Sequence, residues 1–198
     1  VLARTEAGTK DARGLSMFVC YGDKTIKVRR IEHKLGIHGS PTYELQFNDT
    51  PAQLVGTRRF GLLKYVMYLM NRARVGIGAQ SLGIAQEAYE QALKYAKARE
   101  QFGKPIYNLP VVSNILIDMR VSLEAFRSLF YNTCIWLDKK EMLEQMVERL
   151  KLEKKPVTET NERLKEATKY LNLLTPLAKY FLSEGANKIC YDSMQIHG

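Results

Sequence analysis

Cysteine is scarce in this chain: Cys20, Cys134 and Cys190 are the only three among 198 residues. An odd, widely spaced set builds no disulfide framework, and no CxxC pair offers a metal site. These thiols are read as small buried apolar residues in a reducing, cytoplasmic setting. Long apolar runs are lacking as well. No stretch approaches the roughly 20 residues that a membrane helix needs. The opening segment, with Arg4, Glu6 and Lys10 close to Val1, has no apolar core of the signal-peptide kind. Histidines number three, and His33 and His38 beside Glu32 and Glu44 are read as structural strand residues, so no metal is expected. Acid is short relative to base, 21 Asp and Glu against 30 Lys and Arg, for a net charge of +9. That balance suits an anionic partner, either a phosphate-bearing cofactor or nucleic acid. The first residue is Val rather than Met, as in a piece of a longer protein.

What is present, at 45% hydrophobic and 26% charged, is ordinary globular material. It divides into two halves. Residues 1–55 carry strand signals. Val1–Arg4 resembles the tail of a strand, and Ser16–Tyr21 is a short apolar run stopped by Gly22-Asp23. Thr25–Arg30 alternates, with Ile26 and Val28 on one face and Lys27 and Arg29 on the other. Tyr43–Phe47 alternates again and is stopped by Asn48-Asp49-Thr50-Pro51. Too few strands are present to close a sheet, so a partial β-barrel-like domain is expected.

From residue 56 onward the period is helical. Val75, Ala79, Leu82, Ala85, Tyr89, Ala92 and Ala96 share one face of a long helix that starts near Phe60 and is stopped at Gly103-Lys104-Pro105. A second face runs from Val112 through Met119 and Phe126 to Leu137, and a third from Ala167 through Ala178 to Ile196. Three such helices predict an antiparallel bundle. Between the second and third, residues 139–161 form a charged insert. It is read as an extension of the second helix followed by a solvated loop, because acids alternate with bases. The fold class is therefore α+β, mostly α.

Two segments are more specific than any periodicity. Lys34-Leu35-Gly36-Ile37-His38-Gly39-Ser40-Pro41-Thr42 resembles the K-x-G-x-x-x-S-x-T run of the acyl-CoA dehydrogenase family's middle β domain. Tyr95-Ala96-Lys97-Ala98-Arg99-Glu100-Gln101-Phe102-Gly103-Lys104-Pro105-Ile106 resembles the Y-x-x-x-R-x-x-F-G-x-P-I run ending the first long helix of its C-terminal bundle. Asn71-Arg72-Ala73-Arg74 and Leu82-Gly83-Ile84-Ala85-Gln86 fit the same family, and Gln195-Ile196-His197-Gly198 is similar to the start of its Q-x-x-G-G segment. Leu174-Thr175-Pro176-Leu177-Ala178-Lys179 resembles a subgroup that carries an insert near the charged stretch.

The resemblance implies FAD as cofactor. It implies α,β-dehydrogenation of an acyl-CoA thioester to the trans-2-enoyl-CoA, with electrons passed to an electron-transfer flavoprotein. From its position alone, Arg99 is a cation stabilising a helix C-terminus. The resemblance instead makes it a forked donor to the FAD pyrophosphate of a neighbouring subunit. It adds Gln101, Phe102 and Leu109 to that contact, and sets Gln195 and Gly198 at the adenosine end, where a glycine lets backbone approach closely. Ser40, Asn71 and Arg74 resemble substrate-binding positions, Arg74 lying toward the phosphate end of the CoA tail. Asn71 stands where the family often has Asp.

A minority of the family carries the catalytic base at the position of Ala73, which alanine cannot fill. The expectation is a Glu downstream of the Q-x-x-G-G segment and no catalytic residue within the chain. The resemblance also implies a homodimer or homotetramer formed through the bundle. Two alternatives stay open: a related acyl-CoA oxidase, and a non-catalytic helical interaction protein of the same fold. The charge alone suggests a nucleic-acid binder, which no motif supports.

Overall fold

A computed structural model describes all residues, 1–198. The chain forms two compact units, Val1–Met70 and Asn71–Gly198. In the first, β1 (Leu2–Arg4), β2 (Leu15–Val19), β3 (Ile26–Ile31), β4 (Tyr43–Phe47) and β5 (Gln53–Val55) follow one another. They make an antiparallel three-stranded sheet in the order β1-β2-β5 and a separate antiparallel ribbon of β3 and β4. No barrel closes. The alternation expected along β3 breaks at a bulge between Val28 and Arg30, which takes Arg29 out of register. Arg30 then meets Glu32 and Glu44, each at 3.0 Å.

The three-stranded sheet is held by a polar contact at its centre. Ser16, on β2, is fully buried. Its hydroxyl accepts from the Arg59 backbone N–H at 2.8 Å and shares a 2.8 Å hydrogen bond with the Thr5 hydroxyl. A buried hydroxyl must be partnered in this way, and the partners bind the loop after β5 to the sheet. Gly61 opens a π-helical turn, Gly61–Val66, that lies directly on the β2 backbone.

The second unit is a three-helix bundle of α1 (Met67–Ala98, which begins within the first unit), α2 (Pro110–Leu152) and α3 (Thr158–His197). Pro110 occupies the first turn of α2, where its missing N–H costs nothing. Between α1 and α2 lies a hairpin of two short strands, β6 (Glu100–Gln101) and β7 (Lys104–Pro105). The helix directions follow from the cross-contacts. Arg72, Gln86 and Tyr89 of α1 meet Glu141, Arg127 and Arg120 of α2 in reverse order, so the two run antiparallel. Ala88 and Tyr95 meet Ser193 and His197 of α3 in the same order, so α1 and α3 run parallel.

The core alternates small and large residues. Ala85, Ala92 and Ala96 of α1 pack among Leu116, Met119 and Leu123 of α2 and Leu182, Ile189 and Ile196 of α3. Alanines let the helices approach closely while the leucines fill the space between them. Midway along α3, Pro176 removes one helical hydrogen bond, and the buried hydroxyl of neighbouring Thr175 has no partner.

The charged stretch 139–161 is almost wholly helical. Only residues 153–157 separate α2 from α3. Beneath the charges, Leu143 and Val147 are buried, and Thr160 and Ala167 are buried on the facing helix. Pairs one helical turn apart, Lys140–Glu144 at 2.6 Å and Arg149–Glu153 at 2.8 Å, hold the exposed side.

The end of α2 is a Schellman turn. The Lys155 N–H donates to the Leu150 carbonyl at 2.9 Å and the Lys154 N–H to Lys151 at 3.1 Å, with Lys154 in the left-handed conformation at φ 54°. A lysine there carries a steric cost that glycine lacks. Lys154→Gly is expected to stabilise the protein by about 0.5–1 kcal/mol, read as a higher urea midpoint at unchanged slope. A lower midpoint would mean that the lysine side chain holds the turn.

Candidate cofactor site at one end of the bundle

The helix directions bring the C-terminal ends of α1 and α3 together with the N-terminal end of α2. The Tyr95 and His197 rings, 4.6 Å apart, join the two C-terminal ends. His197 Nδ1 is 2.7 Å from the Ser193 carbonyl oxygen, and Gly198 N–H donates to the Met194 carbonyl at 3.2 Å. At this end the chain leaves α1 through Arg99. Its N–H still donates to Tyr95 (2.8 Å), while its carbonyl accepts from Ile106 N–H (2.8 Å) and closes the hairpin.

The hairpin turns on two residues, Phe102 (φ 56°) and Gly103 (φ 74°). Two successive left-handed residues are the geometry of the tight turn that matches strand twist, usually filled by Asn-Gly. A phenylalanine in the first place is strained by about 1–2 kcal/mol. It is also 82% exposed. The signal available in the sequence was the Phe-Gly pair between Gln101 and Lys104. The Gly103-Lys104-Pro105 stop expected from the sequence is thus the far side of a hairpin.

All six residues expected to bind the cofactor thus lie on segments that meet at this end. Arg99, Gln101 and Phe102 are exposed on the hairpin, and Leu109 is half-buried just before α2. Gln195 and Gly198 are exposed at the end of α3. The Arg99 guanidinium has no carboxylate within ion-pair distance in the chain. A permanently charged fork left open, beside an exposed aromatic ring and glycine-bearing turns, fits the pyrophosphate and flat rings of a dinucleotide.

The expected substrate residues are elsewhere. Asn71 and Arg74 lie on the first turns of the second unit, about 42 Å and about 38 Å from Arg99 along α1 at helical rise. Arg74 is half-buried, and its guanidinium donates to the Asn71 side-chain oxygen at 3.2 Å. Ala73 between them is exposed. Ser40 belongs to the first unit. Its carbonyl accepts from Lys34 Nζ at 2.5 Å and its N–H donates to Ile37 at 3.2 Å. Sequence reasoning did not anticipate that Lys34 holds this loop.

No three His, Cys, Asp or Glu residues gather closely enough to hold a metal ion. Burial, and then the charge of Asp138, raise the Cys134 thiol above its ordinary range, which disfavours its thiolate. No helix is long and apolar enough to cross a membrane.

A family model described as "Acyl-CoA dehydrogenase, C-terminal domain" matches residues 63–164. The chain belongs to the acyl-CoA dehydrogenase family. That match takes in Asn71, Arg74, Arg99, Gln101, Phe102 and Leu109, whereas Ser40, Gln195 and Gly198 lie outside it. Over its whole length the chain is 33% identical to 3-methylmercaptopropionyl-CoA dehydrogenase of Ruegeria pomeroyi, covering 34% of that protein. It is 30% identical to the caffeyl-CoA reductase-Etf complex subunit CarC of Acetobacterium woodii, covering 45% of it. Among solved structures, butyryl-CoA dehydrogenase from Megasphaera elsdenii superposes with a TM-score of 0.76 at 30% identity, over 100% of this chain and 45% of that one. The chain therefore spans between a third and a half of the length of these acyl-CoA dehydrogenase relatives.

Proposed function

We propose that the protein to which this chain contributes is an FAD-dependent enzyme. It removes hydrogen from the α- and β-carbons of an acyl-CoA thioester, gives the trans-2-enoyl-CoA and passes the electrons to an electron-transfer flavoprotein. The observation that carries this reading is the gathering of Arg99, Gln101, Phe102, Leu109, Gln195 and Gly198 at one end of a bundle of this family.

In this reading the Arg99 fork holds the pyrophosphate. The Phe102 ring, held outward by its strained turn, shields the cofactor from water. Gly198 lets the α3 terminus approach the adenosine. Bound FAD supplies the hydride acceptor for the β-hydrogen. At the far end of α1, Arg74 holds a phosphate of coenzyme A, with Asn71 beside it, and Ser40 lines the acyl channel. The separation of about 38 Å between the Arg99 and Arg74 ends of α1 supports a homodimer or homotetramer in which Arg99 serves a neighbouring subunit's cofactor. Ala73 carries no group able to take a proton, so the base, a Glu, belongs to another part of the protein. Three free cysteines fit a cytoplasmic setting.

The name of the Acetobacterium relative is that of a reductase, which favours a second reading of the same site: reduction of an enoyl thioester, the reverse reaction. One experiment tests both directions. The full-length protein is examined by absorbance under anaerobic conditions, before and after addition of a panel of acyl-CoA and enoyl-CoA thioesters. Bleaching of an oxidised flavin band by a saturated thioester is the expected result. Recovery of a pre-reduced flavin by enoyl-CoA alone identifies a reductase, and rapid reoxidation by air identifies an oxidase. A protein that neither carries nor takes up flavin would overturn the reading in favour of a helical interaction protein.

A further inference from the structure

The residues assigned to the cofactor sit on two segments far apart in the sequence. Arg99, Gln101 and Phe102 follow α1, whereas Gln195 and Gly198 end α3. One dinucleotide can meet both sets only if the two helix ends keep a fixed relation. Apolar packing alone does not fix it. Ala92, Ala96, Ile189 and Ile196 fill the space between the helices, but hydrophobic contact has no preferred direction and lets one helix turn or slide against the other.

Two directional contacts bridge the last turns. The hydroxyl of buried Ser193 donates to the Ala88 carbonyl of α1 at 2.9 Å. One turn further along α3, the His197 ring meets the Tyr95 ring, with centroids 4.6 Å apart and planes inclined by 32°. Each ring is tied to one of the two segments. His197 Nδ1 lies 2.7 Å from the Ser193 carbonyl oxygen. A carbonyl oxygen only accepts, so Nδ1 carries the hydrogen, and the imidazole cannot turn without losing that bond. Tyr95 is half-buried, and its carbonyl accepts from the Arg99 N–H at 2.8 Å. The ring pair thus stands between Arg99 and the Gln195–Gly198 terminus. Aromatic pairs favour particular offsets and angles, so this contact fixes orientation where the methyl groups fix only proximity.

We propose that Tyr95 and His197 are positioning residues for FAD. Their ring pair sets the α3 terminus against the Arg99 fork, so that pyrophosphate and adenosine are gripped together. Neither side chain has to touch the cofactor. Two contacts to one ligand reinforce each other only where the geometry lets both be made at once, and a helix end free to turn gives up that gain. The inference rests on the FAD reading above.

The test is made on the full-length protein, stripped of flavin and titrated with FAD, with the urea midpoint of each apoprotein measured alongside. Tyr95→Leu and His197→Leu are each expected to bind FAD about tenfold more weakly, the scale of one lost ring pair. Tyr95→Phe and His197→Phe keep a ring in place and should bind within about twofold of wild type, and the double leucine variant should lose no more than either single one. Positioning has a further mark. Once Arg99→Ala has removed the fork, the α3 terminus has nothing to be aligned with, and adding His197→Leu should then cost less than about twofold. A bundle that is merely loosened shows the same loss in both backgrounds. A lower urea midpoint in the leucine variants leaves this comparison intact, because it is common to the two backgrounds. Equal losses with and without Arg99 overturn the proposal, as do leucine variants that bind FAD like wild type, or phenylalanine variants that fail as the leucine ones do. A wild-type apoprotein that takes up no FAD overturns the FAD reading itself, a failure distinct from this one.

Discussion

Replacing Gly61 with alanine is expected to cost about 3 kcal/mol and to loosen the whole first unit. A Cβ at Gly61 would stand 2.5 Å from the Ser16 carbonyl carbon, 2.6 Å from the Met17 nitrogen and 2.7 Å from the Ser16 Cα. All three are backbone atoms of a strand paired on both sides, by β1 and β5. No rotamer change relieves the overlap. The π-helical turn has to lift away, and lifting it draws the Arg59 N–H from the buried Ser16 hydroxyl, which is then left short of a partner. Gly185 makes a useful contrast. Its Cβ would approach the Phe126 ring to 2.0 Å, a worse overlap, but against the far end of a side chain that can rotate. Gly83 provides the control of opposite sign: it sits in α1 with nothing within 4 Å, and alanine there should stabilise by about 1 kcal/mol. Urea denaturation of the full-length protein, combined with limited proteolysis across residues 1–70, reads all three. A Gly61→Ala protein as resistant as wild type would mean that the turn does not rest on β2.

The sequence was most informative where one periodicity ran unbroken. Tyr43–Phe47 alternates cleanly and is β4 at both ends, and the α1 stripe from Val75 to Ala96 lies on the helix face that carries the buried Leu82, Ala85, Ala92 and Ala96. What it concealed was structure defined by partners rather than by pattern. β5 and the β6–β7 hairpin have two or three residues each, too short to show any alternation, and exist because β2 or each other completes their hydrogen bonds. Residues 139–161 show a milder discrepancy. They are expected to extend the second helix and then form a solvated loop; the extension is there as far as Leu152, but the loop is only residues 153–157, because Leu143 and Val147 keep a buried helical stripe and the charges pair along the helix. Among the candidate site residues, the identities came from motif resemblance and the gathering came only from the structure. The contact that joins α1 to α3 at that end, Tyr95 with His197, links residues at opposite ends of the helical sequence, and neither carries a mark that pairs it with the other.

Arg99→Ala is expected to lower flavin affinity by about a hundredfold, the scale on which a charge-assisted, bidentate contact to a phosphate is lost, while leaving the fold intact. The side chain is exposed and forms no ion pair within the chain, so its removal opens no cavity and strands no buried partner. The backbone bonds that close the hairpin, Arg99 N–H to Tyr95 and Ile106 N–H to Arg99, survive any substitution except proline. Arg99→Lys separates charge from geometry. Lysine keeps the cation but offers a point charge in place of the planar fork, and an intermediate loss of about tenfold is expected. The measurement is the flavin-to-protein absorbance ratio after gel filtration, together with a titration of apoprotein by FAD and an oligomer check on the same column. A different role for Arg99, as a cation favouring the C-terminal end of α1, makes the opposite forecast: both variants would bind flavin as wild type does, and Arg99→Ala would lose no more than about 1 kcal/mol of stability while Arg99→Lys lost none. The two roles therefore diverge on lysine as well as on alanine. If Arg99 acts across a subunit boundary, mixing Arg99→Ala chains with wild-type chains should yield assemblies whose flavin content falls in proportion to the mutant fraction.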